Sequence, residues 1–207
     1  MKNNETIGSA AQERGRLNPK DLVFIAVFGV LLFIVFMAVE IPFGMNAGIT
    51  WFAHAAGALF AGSVFMYLAH RVPKRGAFSL MGVIAGAVAF LMGMFWSGPV
   101  GIVVGGVAAD VVVGAPGKRT RARLIAAFAV FVFCFWFGHI SMILAMGDAY
   151  VDLCVAAGVT PEYGQTLVDS ILGPMGVVTG AVTIVGGLAG GYIGTKVFSK
   201  HFAKLGV

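Results

Sequence analysis

Two short strings in this 207-residue chain pair an indole with an imidazole three residues later: Trp51-Phe52-Ala53-His54 and Trp136-Phe137-Gly138-His139. On a helix such a spacing puts both rings on one face. In the second string the stripe continues through Ile143 and Met146, spaced 3, 4 and 3 from Trp136. If both stripes face inward they make a pocket of aromatics, imidazoles and a thioether; otherwise they form an interfacial Trp belt with satisfied histidines. Neither string is a metal motif, because no His-x-x-x-His pair and no nearby Cys accompanies it. Ser97, in Trp96-Ser97-Gly98, together with His139 supplies the nominal nucleophile and base of an intramembrane hydrolase. No third group orients them, and Ser97 before Gly-Pro suits a turn equally well. No catalytic residue and no resident cofactor is therefore assigned. Further groups able to stack on or bind a small molecule at the same end are Glu40, Asn46, Trp96, Met142, Met146, Tyr150 and Tyr163.

The elements that position these residues follow from composition. The chain is 59% hydrophobic and 11% charged, with a mean hydropathy of +0.93. A soluble domain carries about 25% charged residues, so this chain belongs in a bilayer. Six apolar runs, about 22–39, 51–70, 77–96, 98–115, 122–146 and 173–195, approach the ~20 residues that cross a ~30 Å hydrocarbon core. The expected fold is an all-α integral membrane protein of the cell membrane, a bundle of six transmembrane helices. A polar tail (1–20) precedes the membrane domain (21–197), and a second tail (198–207) follows it. No Gly-rich phosphate loop is present, so the chain itself does not hydrolyse ATP.

Charge placement tests this count independently. All 14 Lys and Arg fall in four segments: before the first run (Lys2, Arg14, Arg16, Lys20), after the second (Arg71, Lys74, Arg75), after the fourth (Lys118, Arg119, Arg121, Arg123) and after the sixth (Lys196, Lys200, Lys204). The alternate segments hold Glu40, Asp148, Asp152, Glu162 and Asp169 and no basic residue. By the positive-inside rule both termini are cytoplasmic. The net charge of +5 then describes a membrane topology rather than a nucleic-acid partner. The outward connection 147–172 is expected to form a short helix around Tyr150–Val155, to stop near Gly158 and Pro161, and to turn again through Leu167 and Ile171, as a cap.

Depth along the helices assigns the remaining candidates. His139, 16 residues past Arg123, lies about 24 Å up its span, near the level of His54. His70 and His201 sit beside basic clusters. Asp110, in the inner third of the fourth run, is expected to pair with Lys118 or Arg119. Gly82 and Gly86, Gly101 and Gly105, and Gly186, Gly190 and Gly194 recur at i, i+4, which clears helix faces for close packing within the bundle or against another subunit. Cys134 and Cys154 are not expected to bridge.

The motifs Arg71-Val72-Pro73-Lys74-Arg75-Gly76-Ala77-Phe78, the Trp96 turn, and Gly105-Gly106-Val107-Ala108-Ala109-Asp110 leading to Gly117-Lys118-Arg119-Thr120 give the chain a family resemblance over residues 20–125. It resembles the substrate-binding (S) components of energy-coupling-factor importers, and within them the Trep_Strep, or MptD-like, group. The resemblance implies a transmembrane coupling protein and two cytoplasmic ATPases as partners, with a small molecule captured from outside. S components often present Ala-x-x-x-Ala on the first helix to the coupling protein; here Ala26 and Val30, with Gly29 beside them, stand at that place. The cargo is left open between vitamin-like compounds and haem, for which His and Met are the usual axial ligands. A hydrolase using Ser97 and His139, or a structural membrane protein, are the alternative readings.

Overall fold

The computed structural model describes residues 16–201. Lys2, Arg14 and Lys204 lie outside the described residues, as do the side chains of Lys200 and His201. The chain runs α1 (Pro19–Gly44), a 3-10 turn (Thr50–Phe52), α2 (Ala53–Arg71), α3 (Ala77–Leu91), α4 (Ser97–Val113), a 3-10 turn (Pro116–Lys118), α5 (Arg121–Met146), α6 (Ala149–Ala156), α7 (Pro161–Leu172) and α8 (Pro174–His201).

Among the described residues four helical stretches are long and apolar enough to cross a membrane: Pro19–Gly44, Thr50–Arg71, Arg121–Met146 and Pro174–Val197. The other two apolar helices, Ala77–Leu91 and Ser97–Val113, are shorter. The third apolar run thus stops earlier than its hydropathy suggests, because Gly93 takes a left-handed φ of 87° and turns the chain through residues 92–96. The first run extends further than expected. Pro42 lies inside the last turn of α1, where its missing N–H leaves the Ala38 carbonyl without a helical donor but little helix remains beyond it to be kinked. Glu40 therefore sits within the helix rather than closing it.

The six longer helices pack in a closed ring, in the order α1, α3, α4, α5, α8, α2 and back to α1. Phenylalanines fill its centre. Phe65 stacks on Phe78 with ring centroids 4.3 Å apart and lies 5.0 Å from Phe128. Around the ring, glycines let backbones touch: a Cβ on Gly190 would come within 2.0 Å of the Ala58 carbonyl oxygen, and one on Gly101 within 2.5 Å of that of Cys134. Lipid tails are as apolar as the side chains they would replace, so close van der Waals contact supplies much of the helix association. The Gly82, Gly86, Gly105, Gly186 and Gly194 faces likewise meet neighbouring helices of the same chain. The i, i+4 glycine stripes are intramolecular seams.

One end of the ring gathers the basic segments. Lys74 Nζ donates to Asp21 Oδ2 at 2.6 Å, Arg119 donates to the carbonyls of Lys74 (2.8 Å) and Ala69 (3.4 Å), and Arg121 donates to Thr195 Oγ1. Asp110 makes no direct salt bridge: among the described residues none joins it to Lys118 or Arg119 within 4 Å, although its carboxylate still acts on the Arg119 guanidinium through space. Its Oδ2 instead accepts from the backbone N–H (2.7 Å) and hydroxyl (2.6 Å) of Ser79. The reason is local. Helix α3 begins after Gly76, which has no side chain to cap it, and Asp110 reaches across from α4 to satisfy an orphan N–H at a positive helix terminus. At the opposite end, α6 and α7 form the cap over the ring, stopped between them at Gly158 (φ 86°) and restarted at Pro161 with Thr160 as N-cap.

Candidate functional site

At the capped end, Glu40 from the last turns of α1, His54 from the first turn of α2 and His139 from α5 converge on a cavity of about 330 Å³. His54 Nε2 and His139 Nδ1 lie 2.8 Å apart and share a single hydrogen. Phe135, one turn below His139 on α5, packs its ring at 4.8 Å from His54 and 5.1 Å from His139. That aromatic contact fixes both imidazoles, and Gly98 makes room for the second: a Cβ there would lie 3.0 Å from His139 Cδ2. Glu40 Oε1 is 3.9 Å from His54 Nε2, too far for a hydrogen bond.

Several buried polar atoms around this cavity have no protein partner: Glu40 Oε1, Trp51 Nε1 and His54 Nδ1. Their residues are 8%, 7% and 3% exposed. A buried polar group without a partner costs about 1–3 kcal/mol, so three around one cavity single it out as the candidate site. Trp51 rides on the 3-10 turn before α2, and Thr50, Met37, Ile41, Met94 and Phe95 complete the wall. Tyr150 of α6 and Leu167 of α7 close the cavity from the cap. The cap is fastened to α1 by the Tyr163 hydroxyl, which donates to the Gly44 carbonyl. Burial, reinforced by the neighbouring Cys154 thiol and Tyr163, holds the Tyr150 phenol above its ordinary pKa, and burial likewise raises the Cys154 thiol.

Of the residues expected to bind a small molecule, Glu40, Trp51, His54, His139 and Tyr150 line the cavity. The others do different work. Asn46 accepts from the Gly48 N–H and shapes the loop leading to Trp51. Trp96 is 60% exposed and borders a separate apolar groove between α4 and α5, because the turn after Gly93 points Phe95 inward and Trp96 out. Trp136 is buried beside Gly180 of α8, so the stripe on α5 divides between a helix seam and the cavity. Met142 is buried among Ile143, Tyr150 and Cys154, and Met146 is partly exposed at the helix end. Met37, Thr50, Met94, Phe95 and Leu167 are additions. Met37 was legible as the residue one turn before Glu40; Met94 and Phe95 depend on the turn geometry.

Ser97 Oγ is buried with no hydrogen-bond partner, and His139 Nδ1 is already engaged by His54, so the two do not form a nucleophile–base pair. Among the described residues no group of three His, Cys, Asp or Glu is placed to hold a metal ion. Cys134 and Cys154 are free thiols. On α1, Gly29 faces α3, where a Cβ would lie 3.2 Å from the Met81 carbonyl; Ala26 and Val30 are half-buried. Gly29 is thus occupied within the bundle and adds nothing to an outer docking patch.

No curated protein and no solved structure matches the chain. A family model described as a hypothetical bacterial integral membrane protein matches residues 19–204, nearly the whole length, and fits a chain with several helices able to cross a membrane. The protein is a multi-pass membrane protein and belongs to the Trep_Strep family.

Proposed function

We propose that this chain is the substrate-binding subunit of an energy-coupling-factor importer, which captures a small molecule at the outer face and delivers it with a coupling permease and two ATPases. The observation that carries this reading is the cavity: a mainly apolar and aromatic chamber with a few polar groups, at the end opposite the basic clusters, roofed by the α6–α7 cap and bordered by unpartnered polar atoms. All six longer helices cross the membrane in this reading. The 15 residues of α3 and the 17 of α4 reach only about 23–26 Å at 1.5 Å per residue, and the turns at their ends make up the rest of a locally thinned bilayer. The basic end then faces the cytoplasm, as the positive-inside rule requires, and the cavity opens outside.

The outer surface of α1 offers a stripe of Val23, Val27 and Ile34, all more than half exposed, with Ala26 and Val30 beside it for a coupling protein. With no phosphate-binding loop in the sequence, the energy comes from partners. The test is assembly: a tagged chain purified in mild detergent from its own membrane is expected to bring with it one transmembrane protein and two ATPases, and ATP hydrolysis by the complex. Recovery of the chain alone, or only with itself, after crosslinking before solubilisation counts against the importer reading.

A further inference from the structure

Which cargo the chamber would take follows from the atoms that have no partner, given the reading of the cavity as the substrate site. Glu40 is 8% exposed, lines the cavity, and its Oε1 has no hydrogen-bond partner. The nearest group able to carry a positive charge is His54, whose Nε2 stands 3.9 Å away and is committed to His139 Nδ1 at 2.8 Å. No lysine or arginine lines the chamber. A carboxyl group so isolated is satisfied either by holding a proton or by meeting a donor from elsewhere.

The rest of the wall narrows the choice. Trp51, Phe95 and Tyr150 present aromatic surface and Met37 and Met94 present thioethers. Aromatic faces attract cations, and thioethers are polarizable and adapt to irregular shapes. An anionic ligand would meet Glu40 with no compensating cation. A purely apolar one would leave Glu40 Oε1 and Trp51 Nε1 buried and unpaired. The chamber, at about 330 Å³, sits near the floor of the ~300–1,000 Å³ range of small-molecule pockets, which favours a compact ring over an extended one.

We propose that the cavity selects a compact organic cation, an aromatic or heterocyclic ring bearing a protonated amine or amidine whose N–H groups donate to Glu40. The ring lies against Trp51 and Phe95, and an acceptor on the ligand takes the Trp51 N–H. The His54–His139 pair, its facing nitrogens 2.8 Å apart, is a polar wall beside the charge and leaves Glu40 Oε1 3.9 Å from His54 Nε2.

Three probes of nearly one shape separate charge from fit: benzamidine (cation), benzamide (neutral) and benzoate (anion). Each is titrated into the purified full chain in detergent, with tryptophan emission and saturation-transfer NMR as readouts. Benzamidine is expected to bind at least about tenfold tighter than benzamide, as a charge-assisted hydrogen bond implies, with benzoate weakest. Glu40→Gln is expected to erase that preference and Glu40→Asp to keep part of it. The charge series on the unaltered chain decides the matter even if Glu40→Gln does not fold. Equal binding of benzamidine and benzamide, or a preference that survives Glu40→Gln, overturns the cation assignment while leaving the chamber a ligand site. Silence from all three probes overturns the assignment as well. Neither result touches co-purification with the ATPases, which tests the importer reading separately.

Discussion

At the scale of single residues, the chamber depends on which polar atoms find partners and which do not. His54 Nε2 and His139 Nδ1 meet across 2.8 Å, while Glu40 Oε1, the Trp51 indole N–H and His54 Nδ1 stay buried beside the cavity without a protein partner. Both histidines were legible in the sequence, since depth counted from the basic clusters put them at one level. Their direct pairing was not, because it depends on α2 and α5 meeting across the ring. Tyr150, in the cap, carries a pH signature. Its folded pKa is raised above the ordinary value of about 10, chiefly by burial and then by Cys154 and Tyr163. Its contribution to stability is therefore complete below pH 10 and declines as pH rises past that value, where the unfolded phenol ionises and the folded one does not. Hydrogen exchange of residues 147–172 is expected to accelerate above about pH 10 in the native chain and less so in Tyr150→Phe; an identical alkaline response in both rules out Tyr150 as its source.

At the scale of elements, the helices are joined by seams that admit nothing larger than glycine. In Gly190→Ala the new methyl would lie 2.0 Å from the Ala58 carbonyl oxygen, so α8 must move away from α2. Overpacking of this kind costs about 1–3 kcal/mol, and the variant is expected to unfold at a lower temperature in detergent. An unchanged melting temperature would show that the α2–α8 seam is looser than described. Helix α3 has a different dependence. Its start is capped from another helix, by Asp110, and Asp110→Asn is expected to cost about 1 kcal/mol; Ser79→Ala should lose part of the same interaction, and in combination the two losses should be less than additive. The apolar runs and the glycine spacing announced these helices. The Asp110–Ser79 contact escaped sequence reading because a carboxylate close to Lys118 and Arg119 in sequence ordinarily suggests an ion pair. What decided otherwise was the uncapped Gly76 terminus brought alongside by tertiary packing.

At the scale of the whole molecule, charge and cavity occupy opposite ends. The basic end is tied together by Lys74, Arg119 and Arg121, and the capped end holds Glu40, the histidine pair and the acidic residues of α6 and α7. Hydropathy alone suggested six spans, yet among the described residues only four stretches are long and apolar enough to cross a membrane; the turn at Gly93 ends the third run early and Gly114 ends the fourth, both at positive φ. Topology is therefore the sharpest question of architecture. Single cysteines placed at Gly48 and at Thr160, in a chain whose Cys134 and Cys154 are replaced by Ala, are expected to react with a membrane-impermeant maleimide in intact cells, and one at Arg75 only after permeabilisation. Labelling of Arg75→Cys in intact cells would reverse the orientation and close the cavity to the outside.

The central claim is that the chamber between Glu40, His54 and His139 holds a transported small molecule. Native mass spectrometry of the protein purified from its own cell membrane tests it most directly. The intact chain is expected to carry one small organic adduct, nitrogen-rich and positively charged, that is absent from the equally folded variants Glu40→Gln and His54→Phe. A ligand-free mass for the native chain under gentle ionisation, or the same adduct on both variants, would contradict the account.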